Sequence, residues 1–151
     1  DRINKRISID KARETIKILK ENVIEARIYL IMGVPGEPED IVDQTWNFIK
    51  ETEPDLVYLG LFTARPGTDV FNHPEKFGIA HLETDWEDTM HQHAAAEGKR
   101  SLSFQYAPVT PWGRGMSEEE IIGNFNELNN RITEAGLSSF QFYRDPHIVN
   151  D

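Results

Sequence analysis

The amino-acid sequence predicts an α/β chain built around two parallel strands. Residues 26–32 and 55–62 are nearly continuous apolar runs of strand length. Runs without polar alternation are expected where a strand is buried on both faces, as in a parallel sheet. About 20 residues lie between them, enough for a parallel crossover through a helix. A capped amphipathic stretch precedes each run, so the first 62 residues read helix–strand–helix–strand.

Each element has a local cause. Ser8 or Asp10 caps the first helix, and Ile9, Ala12, Ile16, Leu19 and Val23 lay one apolar stripe along it. It is expected to end near Asn22. The first strand runs into Gly33-Val34-Pro35-Gly36-Glu37, a turn. Pro38 suits the first helical position, with Glu39 and Asp40 in the positive first turn. That helix carries Ile41, Thr45, Phe48 and Ile49 and stops before Pro54. After Phe62 the texture changes, with tight turns at 64–68 and 72–74. Thr84, Asp85, Trp86 and Glu87 open a helix to about Gly98. Residues 102–112 read as irregular because of Pro108 and Pro111. Ser117 and Glu120 make a capping box for the most regular helix, with Ile121, Phe125, Leu128, Ile132 and Ala135 on one stripe and Gly136 as its stop. Phe140, Phe142 and Tyr143 make the start of the tail a packing segment.

Composition narrows the function. The chain has 151 residues, 16 Lys+Arg and 26 Asp+Glu, for a net charge of −10. That length predicts one domain burying about 70% of its unfolded surface. Disorder of the whole is excluded by the supply of Trp, Phe and Ile. No apolar stretch approaches a membrane span. The acidic balance argues against a general nucleic-acid binder. With no Cys, the chain has no disulfide, no thiolate nucleophile and no ligand for zinc–thiolate or iron–sulfur chemistry. It carries no signal-peptide pattern, opens on Asp1-Arg2-Ile3 without a Met, and reads as a piece of a longer protein.

Two motifs point to a site. Gly33 and Gly36, at the carboxyl end of the first strand, let a ligand approach the backbone beside free helix N–H groups. A tight turn with no ligand explains the same glycines. The loop is not a phosphate loop, because Gly-Lys-Ser/Thr is missing and Glu37, Glu39 and Asp40 repel phosphate. The second strand ends at the same rim in Thr63-Ala64-Arg65-Pro66-Gly67-Thr68. Arg65 suits a carboxylate or other anionic group, or simply loop carbonyls. The five His read as solvated or packing residues: His91 and His93 are two apart on a helix, and His73, His81 and His147 lie apart. Glu118, Glu119 and Glu120 read as a helix-start charge complement, and Trp46, Trp86 and Trp112 as packing residues.

In order and spacing, the two rim motifs resemble the later half of a radical S-adenosylmethionine (SAM) enzyme core. The stretch from Ile28 to Glu37, the helix with Thr45 and Phe48, and the stretch from Phe62 to Thr68 carry the resemblance, together with residues 2–6 and the capped helix after them. The nearest branch often carries an N-terminal cobalamin-binding domain and includes anaerobic magnesium-protoporphyrin monomethyl ester cyclase-like proteins. The resemblance covers about residues 1–71 well and the rest loosely. It implies the C-terminal part of a partial (β/α)6 TIM-like barrel, with the two strands as the fifth and sixth. Residues 1–80 would complete that core and 81–151 would be a helical C-terminal extension.

The resemblance also implies a function. The parent would bind a four-iron–four-sulfur (4Fe-4S) cluster and SAM, and would begin radical chemistry on a small organic substrate, by tetrapyrrole cyclisation or methylation, in a reducing cytoplasm. Cobalamin is a candidate cofactor of that parent. Ile31, Gly33, Pro35, Gly36 and Glu37 would line the adenosine side of the cofactor. Thr63, Arg65, Pro66 and Gly67 would border the SAM or substrate cavity. Arg65 departs from the aromatic residue common there. The three-Cys motif is missing, so the chain alone would be inactive, with no catalytic residue and no metal ligand of its own. Its partners would be the rest of the parent chain and a small molecule, and exposed strand edges favour self-association. The alternatives are a stand-alone acidic α/β binding module, and a fragment of a metal-dependent TIM-barrel hydrolase using His73, His81, His91 or His93.

Overall fold

Ser8 accepts a hydrogen bond from the Lys11 N–H and caps helix α1 (Ile9–Glu21), which closes at Asn22. In the computed structural model the described residues are 8–84 and 102–138. After α1 come β1 (Arg27–Met32), α2 (Ile41–Thr52) and β2 (Leu56–Leu61). A short helix α3 (Asp69–Asn72) and a 3-10 turn (Pro74–Phe77) lead to β3 (Ile79–Leu82). Then follow β4 (Phe104–Tyr106), β5 (Val109–Thr110), β6 (Gly113–Arg114) and the long helix α4 (Glu118–Glu134).

The predicted helix–strand–helix–strand order and the parallel pairing hold. β1 and β2 run parallel in the register Ile28 to Val57, Leu30 to Leu59 and Met32 to Leu61. Burial on both faces does not hold. The even residues of β1 and their partners pack with Val42, Ile49, Phe125, Leu128 and Ile132 beneath α2 and α4. The opposite face presents Tyr29, Ile31 and Tyr58, exposed by 73%, 40% and 39%. Tyr29 and Tyr58 face each other there with ring centroids 5.4 Å apart. An uninterrupted apolar run thus records a core on one side and an open surface on the other. β1 has one paired edge among the described residues. The far edge of β2 is met by the segment just after α4, where the Val57 N–H bonds to Leu137 O at 2.8 Å.

Other differences are local. α2 starts at Ile41, with Asp40 as an N-cap whose side chain makes no capping bond, so Pro38 precedes the helix. Residues 102–112 are not irregular throughout: β4 pairs antiparallel with β3, and β5 with β6. The residue pattern hides these strands because they are two to four residues long. The capping box is present, with the Ser117 hydroxyl accepting from Glu120 N–H and the Glu120 carboxylate accepting from Ser117 N–H. Ile121, Phe125, Leu128 and Ile132 are buried as predicted, but Ala135 is the exposed C-cap, followed by Gly136 at φ 72°. Val23 is also off its stripe, 95% exposed beyond the end of α1. The helix expected from Thr84 and the aromatic tail fall outside the described residues.

The described strands make three two-stranded sheets and no closed barrel. A second core beside the strand ends holds Ala64, Val70, Ile79, Phe104, Met116 and Ile121. No helix among the described residues is long and apolar enough to cross a membrane.

Candidate functional site at the strand ends

The carboxyl ends of β1 and β2 lie side by side, because the Phe62 N–H donates to Met32 O at 2.7 Å. Both rim loops leave from this point. Gly33 adopts φ +84° and is buried, and Gly36 adopts φ +73°. Side chains are rare in that backbone region. A β carbon on Gly33 would also meet Ile121 Cγ2 at 3.0 Å. Pro35 is buried beside it.

Glu37 fills the loop that it closes. Its Oε2 accepts from Gly33 N–H at 2.9 Å and its Oε1 from Val34 N–H at 3.0 Å. The Gly33 and Val34 N–H groups at the rim are therefore taken by the chain's own carboxylate. The start of α2 lies further on, at Ile41. An anion would have to displace Glu37, beside Glu39 and Asp40, so the rim is unsuited to phosphate.

Sequence reasoning missed the residues that hold this loop from behind. The Tyr106 hydroxyl donates to Gly33 O at 2.8 Å. Burial first, and the Glu37 charge second, push its phenol above the ordinary range, so it stays a proton donor. Phe104 stacks edge-on between Phe62 and Tyr106, with centroids 5.5 and 5.1 Å apart. The alternation Phe104, Gln105, Tyr106 was the available signal: the outer two are inward and Gln105 is exposed.

The second loop is more open. Thr63 is half-buried, and Arg65, Pro66 and Gly67 are exposed. Thr68 closes the turn, its N–H and hydroxyl donating to Arg65 O at 3.1 and 2.7 Å. The Arg65 guanidinium has no carboxylate partner among the described residues. Arg114 is engaged instead, bridging Glu39 at 3.2 Å and Glu120 at 2.9 Å, and so ties the segment after the rim to α4. Among the described residues no group of three or more His, Cys, Asp or Glu is placed to hold a metal. His73 sits near Asp69 and Glu75 but is exposed, and His81 lies apart on β3. His91, His93 and His147 lie outside the described residues.

The rim thus has an apolar open face at Ile31, a tied peptide loop and, at Arg65, a cation with no carboxylate partner among the described residues. Comparison with known proteins adds two partial matches. Over 77 residues, half of the chain, it is 34% identical to a tRNA-2-methylthio-N(6)-dimethylallyladenosine synthase of Treponema denticola. Over 71 residues, 47% of the chain, it is 27% identical to an anaerobic magnesium-protoporphyrin IX monomethyl ester cyclase of Rubrivivax gelatinosus. Both of these proteins are radical SAM enzymes, matched weakly and over about half of the chain. The matched stretches span 17% and 13% of those two relatives' lengths. No family model and no solved structure matches the chain. Both relatives are enzymes, and related radical SAM enzymes use SAM and 4Fe-4S clusters.

Proposed function

We propose that the chain supplies the fifth and sixth strands of a radical SAM core, and that its strand-end rim faces the adenosine side of SAM. The supporting observation is the one-sided sheet. In a relative of radical SAM enzymes, Ile31 and Tyr58 lie exposed on the face away from the α2–α4 core, beside two glycine loops. The edge of β1 that has no partner among the described residues is where the earlier strands of a partial (β/α)6 barrel would pair.

The residues fit SAM and do not fit the cluster. Ile31 offers apolar contact to a flat heterocycle. Arg65 offers charge to a carboxylate of SAM or of a substrate. Glu37 shapes the loop and turns anions away from it. Bound to a reduced 4Fe-4S cluster held elsewhere in the parent, SAM would accept one electron, release methionine and supply a 5′-deoxyadenosyl radical for hydrogen abstraction or the start of a methyl transfer. The chain has no Cys, so cluster ligands belong to another part of the parent and this chain alone does not cleave SAM. The parent's chemistry is tetrapyrrole cyclisation or methylation in a reducing cytoplasm, with cobalamin as a candidate second cofactor.

Reading the coding sequence upstream of Asp1 tests this. The expected result is a Cys-x3-Cys-x2-Cys segment after a strand pattern. A start codon directly before Asp1, with no such cysteines, contradicts the proposal and leaves an acidic α/β binding module in its place.

A further inference from the structure

Successive peptide groups at the end of β1 are tied at both ends. In the Met32–Gly33 peptide the carbonyl accepts from Phe62 N–H at 2.7 Å and the N–H donates to Glu37 Oε2 at 2.9 Å. In the Gly33–Val34 peptide the carbonyl accepts from the Tyr106 hydroxyl at 2.8 Å and the N–H donates to Glu37 Oε1 at 3.0 Å. In the next peptide Pro35 has no N–H, and the Val34 carbonyl accepts from Glu37 N–H at 3.2 Å. No peptide N–H remains free from Gly33 to Pro35.

We propose that Tyr106 is a positioning residue of the strand-end rim: with Glu37 it clamps the Gly33–Val34 peptide plane. The C-terminal half of the chain thereby sets the shape of the ligand-facing loop. This rests on the reading that the rim faces SAM. Three observations support it. The hydroxyl is half-buried and held as a donor. Phe104 fixes the Tyr106 ring edge-on at 5.1 Å. Gly33 adopts φ +84°, a conformation open to peptide-plane rotation because glycine has little steric barrier to other conformers. A group resting on residues 33–35 meets the Gly33 and Val34 carbonyl oxygens and no free N–H. Such a surface favours an uncharged or cationic group over an anion.

Amide hydrogen exchange on the 15N-labelled chain tests the clamp without any ligand. In Tyr106→Phe the Val34 amide is expected to exchange about five- to tenfold faster, the loss of one hydrogen bond, while the Leu128 amide stays within about twofold of wild type. Tyr29→Phe, which removes an exposed hydroxyl, leaves Val34 unchanged. An unaltered Val34 rate in a folded Tyr106→Phe chain overturns the proposal. Should that variant not fold, the wild-type spectrum decides. A slowly exchanging Tyr106 hydroxyl proton close to Gly33 supports the clamp, and a hydroxyl averaged with water overturns it. In the full-length enzyme, Tyr106→Phe is expected to raise KM for SAM about fivefold at unchanged kcat. An unchanged KM overturns the positioning role. A full-length enzyme that makes no 5′-deoxyadenosine instead sinks the SAM reading, and the exchange rates still report on the clamp.

Discussion

Gly33 at the end of β1 leaves little room for a side chain, because a β carbon there would lie 3.0 Å from Cγ2 of Ile121 on α4. The two residues join the rim loop to the helix that covers the sheet. Gly33→Ala adds a crowded methyl and forces a side chain into φ +84°. It is expected to lower unfolding stability by about 1–3 kcal/mol, read by urea titration. Combining it with Ile121→Ala relieves the contact but not the backbone cost, so the two effects should not add. An unchanged midpoint for Gly33→Ala would show that the loop does not hold this conformation.

The two faces of the parallel sheet should respond differently to truncation. Leu128 is fully buried against β1 and β2, with 0% exposure. Leu128→Ala should cost about 2–5 kcal/mol. Ile31→Ala, on the open face, should cost under about 1 kcal/mol. Equal losses in thermal or urea unfolding would mean that Ile31 is covered in solution, for instance by self-association through the β1 edge.

Acid should loosen the start of α4 late. Glu120 is held down to about 2 from its ordinary 4.5, first by Arg114 and then by the Ser117 N–H. A carboxylate with a depressed folded value favours the folded state above its unfolded value, and that contribution disappears as pH falls through the folded value. The window therefore runs from about 4.5 down to about 2. The exposure of both partners to solvent keeps the stability effect small. Carbon-13 titration of the Glu120 carboxyl should show the low value, and Arg114→Ala should move it up toward 4.5. A wild-type midpoint already near 4.5 would contradict the contact.

Loss of the cap should be local. Ser117→Ala removes the hydroxyl that accepts from Glu120 N–H at 3.2 Å. The expected cost is about 1 kcal/mol, with faster amide exchange confined to the first turn of α4. Unchanged exchange there would mean that the box contributes nothing in solution.

Much of the fold was legible from local chemistry. The apolar runs at 26–32 and 55–62, the Ser8 cap and the Ser117–Glu120 box each act within a few residues, and each appears where its pattern lies. What was missed depends on distant partners. The open face looked like a buried one because Tyr29 and Ile31 extend the apolar run of Leu30 and Met32, and the positions of α2 and α4 decide which pair is covered. Pro38 looked like a helix start, yet Glu37 turns back onto Gly33 and Val34, and α2 waits until Ile41. At the site, the glycine loops and Arg65 were visible as motifs. The Tyr106–Gly33 bond was not, since 73 positions separate its partners.

The most direct test is 5′-deoxyadenosine formation by the full-length protein, its cluster reconstituted without oxygen, in wild type and in Ile31→Asp. Ile31 is exposed on the proposed adenosine-facing surface, where a carboxylate would replace apolar contact while sparing the core. The expected result is product from the wild type and a KM for SAM raised by about tenfold or more in the variant. Wild-type protein that forms no 5′-deoxyadenosine, or a variant with unchanged KM, would contradict the assignment of this rim to SAM.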